Sequence, residues 1–150
     1  MKVDYFTIPE ITVSYKDTVK ASERAIITSS SDAVKVFFVA FEHCVEHHEE
    51  VNVLYLNKSN RVLGISNVSK GGISGSFVDI KIILQTALKV SASSILLSHN
   101  HPSGSIKPSN DDLVLTEKIK KGCEAIDVKL FDHIIVTNEA FTSFADEGLL

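Results

Sequence analysis

The sequence predicts an α/β (α+β) domain: a mixed central β-sheet flanked by helices. Three observations carry that expectation. Apolar, β-branched runs of strand length occur at residues 51–56, 62–68, 94–97 and 128–137. Between them, apolar side chains recur at helical spacing near residues 31–45, 80–88 and 110–124. The resulting order is helix, two antiparallel strands, helix, strand, helix, strand, which suggests a mixed sheet with helices packed on it, as a three-layer or α+β sandwich.

Taken in order, residues 10–15 alternate well enough for an edge strand within an otherwise irregular N-terminal arm. Ser30 or Ser31 caps a helix to about Val45, with Ala33, Phe37, Phe41 and Cys44 on one face. Residues 51–56 read as a largely buried strand. The polar break at residues 57–61 turns the chain into a second strand at 62–68. Gly71, Gly72 and Gly75 make the next loop pliant, and Asp79 opens a helix with Ile80, Ile83, Leu84, Ala87 and Leu88 as its stripe. A short strand at 94–97 ends at a pair of histidines. Pro108 and Ser109 precede a helix at 110–124 with Leu115, Ile119 and Cys123 inward. The last long strand, 128–137, turns at Asn138-Glu139 toward 141–144.

The chain has 150 residues, 44% of them hydrophobic and 23% charged, so one domain with a single core is expected over residues 1–150. The longest apolar stretch, residues 34–41, contains Lys35 and is far too short for a membrane span. No secretory leader pattern opens the chain, and a cytoplasmic location is expected by default. A net charge of −4 without a dense Lys/Arg block weighs against strong direct nucleic-acid binding. Lys118, Lys120 and Lys121 read as the solvated side of a helix. Cys44 and Cys123 read as buried small apolar residues, with little support for a disulfide or a Cys-based zinc site.

Residues 98–112 carry chemistry. His99 and His101, one residue apart at a strand end, project to the same side, and neutral imidazole is a good zinc donor. Pro102, Gly104 and Pro108 let the chain double back and bring the Asp112 carboxylate to the same point. Two imidazoles and one carboxylate leave a fourth position open, which separates a catalytic zinc from a structural one. Ser109 and Asp112 also have the spacing of an N-cap and its N3 acid, and the two roles are compatible. Glu46, Glu49 and Glu50 are candidates for the proton acceptor such a site needs. Spacing alone does not choose among them, and residues 47–50 would also pass for a polar loop. His133 reads as a structural histidine bonded to the backbone, with a contact to the metal site as the alternative.

The run His99-x-His101-Pro102-Ser103-Gly104, followed by Pro108-Ser109-x-x-Asp112, resembles the JAMM (JAB, MPN-plus) metalloprotease signature. More narrowly, the chain resembles the RadC-like branch, associated with DNA repair. The supporting segments are Glu49-Glu-Val-Asn-Val-Leu-Tyr-Leu, Asn60-Arg-Val-Leu, Gly71-Gly72-Ile-Ser-Gly75 and Leu130-Phe-Asp-His-Ile-Ile. The similarity covers a core of about residues 22–150, with residues 1–21 as the arm. It implies a cytidine-deaminase-like JAB fold and one zinc per chain on His99, His101 and Asp112. It also implies Glu49 as acid/base, with Glu50 as the alternative if the register is off by one. Ser109 would be the hydrogen-bond donor to the oxyanion. Only about thirty residues precede the first predicted helix, so the helix-hairpin-helix region of full-length RadC-type chains is not expected. Asp79-Ile80-Lys81-Ile82 stands where the family often has a His/Asp-Pro-Arg segment, which puts any substrate contact there in doubt.

Two functions follow. One is a zinc hydrolase cleaving a peptide or isopeptide amide in a peptide or protein substrate. The other is a DNA repair-associated zinc-binding module acting through a protein or DNA partner without turnover. A nuclease fits poorly with one zinc and no basic cleft. An exposed edge strand could also pair the chain into a homodimer.

Overall fold

A computed structural model of the chain describes residue 9 and residues 11–71 and 77–150. Five strands make one sheet: β1 (Glu50–Leu56), β2 (Val62–Lys70), β3 (Ser94–Asn100), β4 (Lys129–Val136) and β5 (Phe141–Ser143), in the order β2-β1-β3-β4-β5. β1 is antiparallel to β2 and β3, β3 is parallel to β4, and β5 returns antiparallel on β4. The sheet is mixed, as predicted. β1 and β3 are buried along their whole length, which suits near-continuous apolar runs in central strands covered on both faces.

The period of two along each strand sorts the core into two halves. Leu54, Leu56 and Leu96 meet Ala33, Val34, Phe37 and Phe41 of α1 (Ser30–Phe41) on one face. Val51, Val53, Ile95 and Leu97 meet α2 (Ile80–Lys89) through Ile83 and Ala87 on the other. α3 (Asn110–Glu124) covers the same face through Ile119 and Cys123. Each fully buried side chain of this kind contributes about 1.5–3 kcal/mol. The result is three layers, with His99 on the α2/α3 face and Asn100 on the α1 face.

One irregularity matters for the site. Along β4, Ile95 pairs with Leu130 but Leu96 pairs with Asp132, so Phe131 is an extra residue. A bulge exchanges the two faces of the strand beyond it. Leu130 packs on the α2/α3 side, and strict alternation would turn His133 to the α1 side. The bulge instead keeps His133 on the side of α3 and His99, while Ile134 and Val136 pack toward α1.

Several elements depart from expectation. The edge strand is not formed over Ile11–Tyr15, and Glu10 lies outside the described residues. Ile11 and Val13 are 88% and 72% exposed; this part of the arm reaches the sheet through the Tyr15 hydroxyl, which donates to the Leu63 carbonyl at 2.6 Å. Alternation without a partner edge makes no ladder. α1 is capped by Ser29, whose Oγ accepts from Asp32 N, ahead of the Ser30 or Ser31 expected. It ends at Phe41 rather than Val45, where the chain tightens into i→i+3 turns: Glu42 N donates to the Val39 carbonyl and Cys44 N to the Phe41 carbonyl. Leu88 is exposed, so the inward line of α2 is Ile83 and Ala87. β3 runs on through His99 to Asn100. Gly72 and Gly75 lie outside the described residues. Cys44 and Cys123 are both buried and free, as predicted. No helix among the described residues is long and apolar enough to cross a membrane.

Candidate metal centre

His99 lies in β3, and His101 N continues the ladder by donating to the Val136 carbonyl at 2.9 Å. Being two residues apart on extended chain, both rings leave the same side of the sheet. Gly104 then takes a φ of +81°, a region that L side chains rarely adopt, and starts the return of the chain toward α3. α3 opens with a capping box: Ser109 Oγ accepts from Asp112 N at 3.1 Å, and Asp112 Oδ2 accepts from Ser109 N at 2.8 Å. The cap fixes the Asp112 carboxylate at the mouth of the histidine pair. Its oxygens lie 3.2 Å from His99 Nε2 and 3.5 Å from His101 Nε2, and the two Nε2 atoms are 2.8 Å apart. The edge of a zinc tetrahedron with nitrogen or oxygen ligands is about 3.3 Å. The donor set and its spacing therefore fit a tetrahedral zinc with one position left open.

The outer nitrogens decide what the inner ones present. His101 Nδ1 sits 2.7 Å from the Ser105 carbonyl, an acceptor only, so it carries the proton and leaves Nε2 bare. For His99 the same result comes through a chain of three residues. Thr116 Oγ1 donates to the Asp112 carbonyl at 2.6 Å, so it accepts from His133 Nδ1, also at 2.6 Å. His133 Nε2 is then a lone pair and accepts from His99 Nδ1 at 2.7 Å. Both Nε2 lone pairs and a carboxylate thus converge on one point, an arrangement that a metal ion satisfies, as does a proton on one ring shared with Asp112. Such outer partners orient ligands and raise their basicity.

A proton on Nε2, donated to Asp112, competes with a metal ion for the same point, and the ionisation of the site reports that competition. The hydrogen bond to Asp112 raises the His101 pKa above its ordinary value against burial, helped by the Ser105 carbonyl and the Glu49 charge. Burial opposes ionisation of Asp112, yet the hydrogen bonds from His101 and His99 hold its carboxyl far below the usual range. Burial, with His99 adding to it, pushes His133 well below its ordinary value, so it stays neutral as the chain of bonds requires.

A cleft of about 780 Å³ opens over this point, lined by Glu49, His99, His101, Ser109, Asp112 and Phe77 among others. Glu49, just ahead of β1, and Val51 line this cleft with His99, and Val51 pairs with His99 across β1 and β3. Glu50, one residue on, faces the α1 side and bonds to His43 and His48 there. Glu46 lies along a separate hollow beside His101 and Pro102. His99, His101, Asp112, Ser109 and Glu49 are thus brought together, while Glu46 and Glu50 are not. The contact of His133 is to His99 and Thr116 rather than to the backbone, a correction to its expected role.

Asn100, Thr116 and His133 complete the supporting structure. Asn100 Nδ2 donates to the carbonyls of Cys44, Val45 and His48, and its Oδ1 accepts from Glu50 N. It therefore pins both ends of the segment that delivers Glu49. Its place between two ligand histidines was the available signal; Thr116 had none beyond lying four residues after Asp112.

Comparison with known proteins gives the family. Residues 27–149 match the RadC-like JAB domain. The chain is 43% identical over 123 residues to a UPF0758 protein of Flavobacterium johnsoniae, covering 82% of this chain and 53% of that protein. A UPF0758 protein of Porphyromonas gingivalis is 43% identical over 68% of the chain and 45% of its own length. One of Aquifex aeolicus is 43% identical over 70% and 46%. The chain spans about half the length of these relatives. With the match extending over nearly all of its described core, the chain belongs to the RadC-like JAB domain family.

Proposed function

We propose that the chain is a zinc-dependent hydrolase of the JAMM type, cleaving an amide bond in a peptide or protein substrate. The observation that carries this reading is the convergence of two Nε2 lone pairs and the Asp112 carboxylate at the floor of an open cleft. His99, His101 and Asp112 would hold the metal, leaving one position free. Zinc there would supply Lewis acidity and lower the pKa of a water molecule.

The remaining steps belong to the chain. Glu49 lines the same cleft as the ligands and takes the proton from the attacking water, then returns it to the leaving amine. Ser109 uses a lone pair of Oγ for the cap, so its O–H remains to donate to the oxyanion. A donor of that kind is worth about 3–4 kcal/mol in the transition state. Val51, Phe77 and Val114 give one side of the cleft an apolar wall.

The test is Glu49→Gln assayed on a panel of peptide and isopeptide amides. Turnover should fall by about 10²–10⁴-fold with zinc still bound. Cleavage at the wild-type rate by the Gln variant would refute the assignment. A complex with a DNA-repair protein, unchanged by Glu49→Gln and formed without turnover, would favour the binding-module reading instead.

A further inference from the structure

We infer a second metal site on the opposite face of the sheet, formed by His43, Cys44, His48 and Glu50 and suited to zinc or a similar divalent transition ion. One ligand atom from each of these residues lies within 4.8 Å of every other. His48 Nε2 and His43 Nε2 stand 2.8 and 3.1 Å from the same carboxylate oxygen, Glu50 Oε1. Those spacings are near the edge of about 3.3 Å that a tetrahedral zinc needs between nitrogen and oxygen ligands. Cys44 adds a sulfur from the buried side, which closes the set at four and makes the site structural rather than open.

The supporting contacts are those of a metal site. Asn67 Nδ2 donates to the second Glu50 oxygen at 2.8 Å, orienting the carboxylate. His47 Nδ1 lies 2.9 Å from His48 Nδ1 and so engages the outer nitrogen of that ring. Asn100 ties down the carbonyls of Cys44 and His48. The Cys44 thiol gives up its proton to solvent when the ion enters, leaving a thiolate bound to it.

The four residues lie within eight positions of one another, but Cys44 reads from sequence as a buried small apolar residue with little support for a Cys-based zinc site, a reading that a second metal site here reverses. Its position has a consequence for the first site. Glu49 lies between His48 and Glu50, so an ion held by those two residues would clamp the backbone that carries the proposed base.

Cobalt(II) titration of the chelator-treated chain tests the inference. Two equivalents should bind, with a near-ultraviolet thiolate-to-cobalt charge-transfer band. Cys44→Ser should lose the band and one equivalent; Cys123→Ser should keep both. Asp112→Ala should lose one equivalent and keep the band, which separates this site from the first. His43→Gln alters an exposed ring, preserves the fold, and should weaken cobalt binding at the thiolate site at least about tenfold. Absence of the band at saturating cobalt, its persistence in Cys44→Ser, or unchanged affinity in His43→Gln would overturn the inference.

Discussion

Replacing Thr116 by Val removes a single hydroxyl of nearly the same volume from beneath the metal centre. That hydroxyl accepts from His133 Nδ1 at 2.6 Å and donates to the Asp112 carbonyl. Without it, a protonated Nδ1 on His133 has lost its partner in a fully buried place, at a cost of about 1–3 kcal/mol. The ring can escape by moving the proton to Nε2, but that atom faces His99 Nδ1 at 2.7 Å. His99 must then carry its own proton on Nε2, where the metal would bind. Either way the variant is penalised. Loss of such an outer partner lowers metal affinity by about 10–100-fold. The stability loss corresponds to a fall in Tm of roughly 2–12 °C for a chain of this size. Competition of each variant against a chromophoric chelator gives the zinc affinity, and Thr116→Ser, which restores the hydroxyl, should recover it. A valine variant that loses stability but binds zinc as tightly as wild type would refute the claim that Thr116 and His133 set the His99 tautomer.

Other consequences can be measured separately. Asn100→Ala strips the Asn100 partner from the Val45 and His48 carbonyls and the Glu50 N–H, the Cys44 carbonyl keeping its backbone donors, and should cost about 3 kcal/mol in denaturant unfolding. It should also speed amide exchange over residues 44–50; unchanged exchange there would mean Asn100 does not hold that segment. In metal-free protein His101 should titrate above its ordinary 6.5, as followed by imidazole proton NMR. Because the folded-state pKa is raised, the stability it contributes is complete below about 6.5 and fades as pH rises through the folded-state value. Asp112→Asn should bring that titration down, and an unmoved His101 would contradict the pairing.

Much of this was legible in the sequence. Residues 110–124 announced α3 with its boundaries, because Ser109, Asp112 and the apolar line through Ile119 and Cys123 all agree. The candidate metal ligands were visible because they sit in one short loop-spanning motif. Glu49 could not be separated from Glu50 by spacing; the fold separates them, since Glu49 lines the cleft with His99 while Glu50 bonds to His43 and His48 on the α1 side. The role of His133 was hidden for a different reason. A bulge at Phe131 turns it to the face that simple alternation denies it, and a bulge leaves no mark that a period of two can detect. The end of α1 was misjudged because the apolar spacing runs on to Cys44 while the backbone has already tightened into i→i+3 turns, which a side-chain period does not distinguish from a helix. Residues 10–15 have strand alternation, but over Ile11–Tyr15 no sheet edge receives them.

The central claim is that His99, His101 and Asp112 hold a zinc ion, and metal content tests it most directly. Wild type and Asp112→Ala, purified alike and reloaded with zinc, should differ by one equivalent per chain, with the variant still folded. Equal zinc in both proteins, or no zinc in the wild type after loading, would contradict the account.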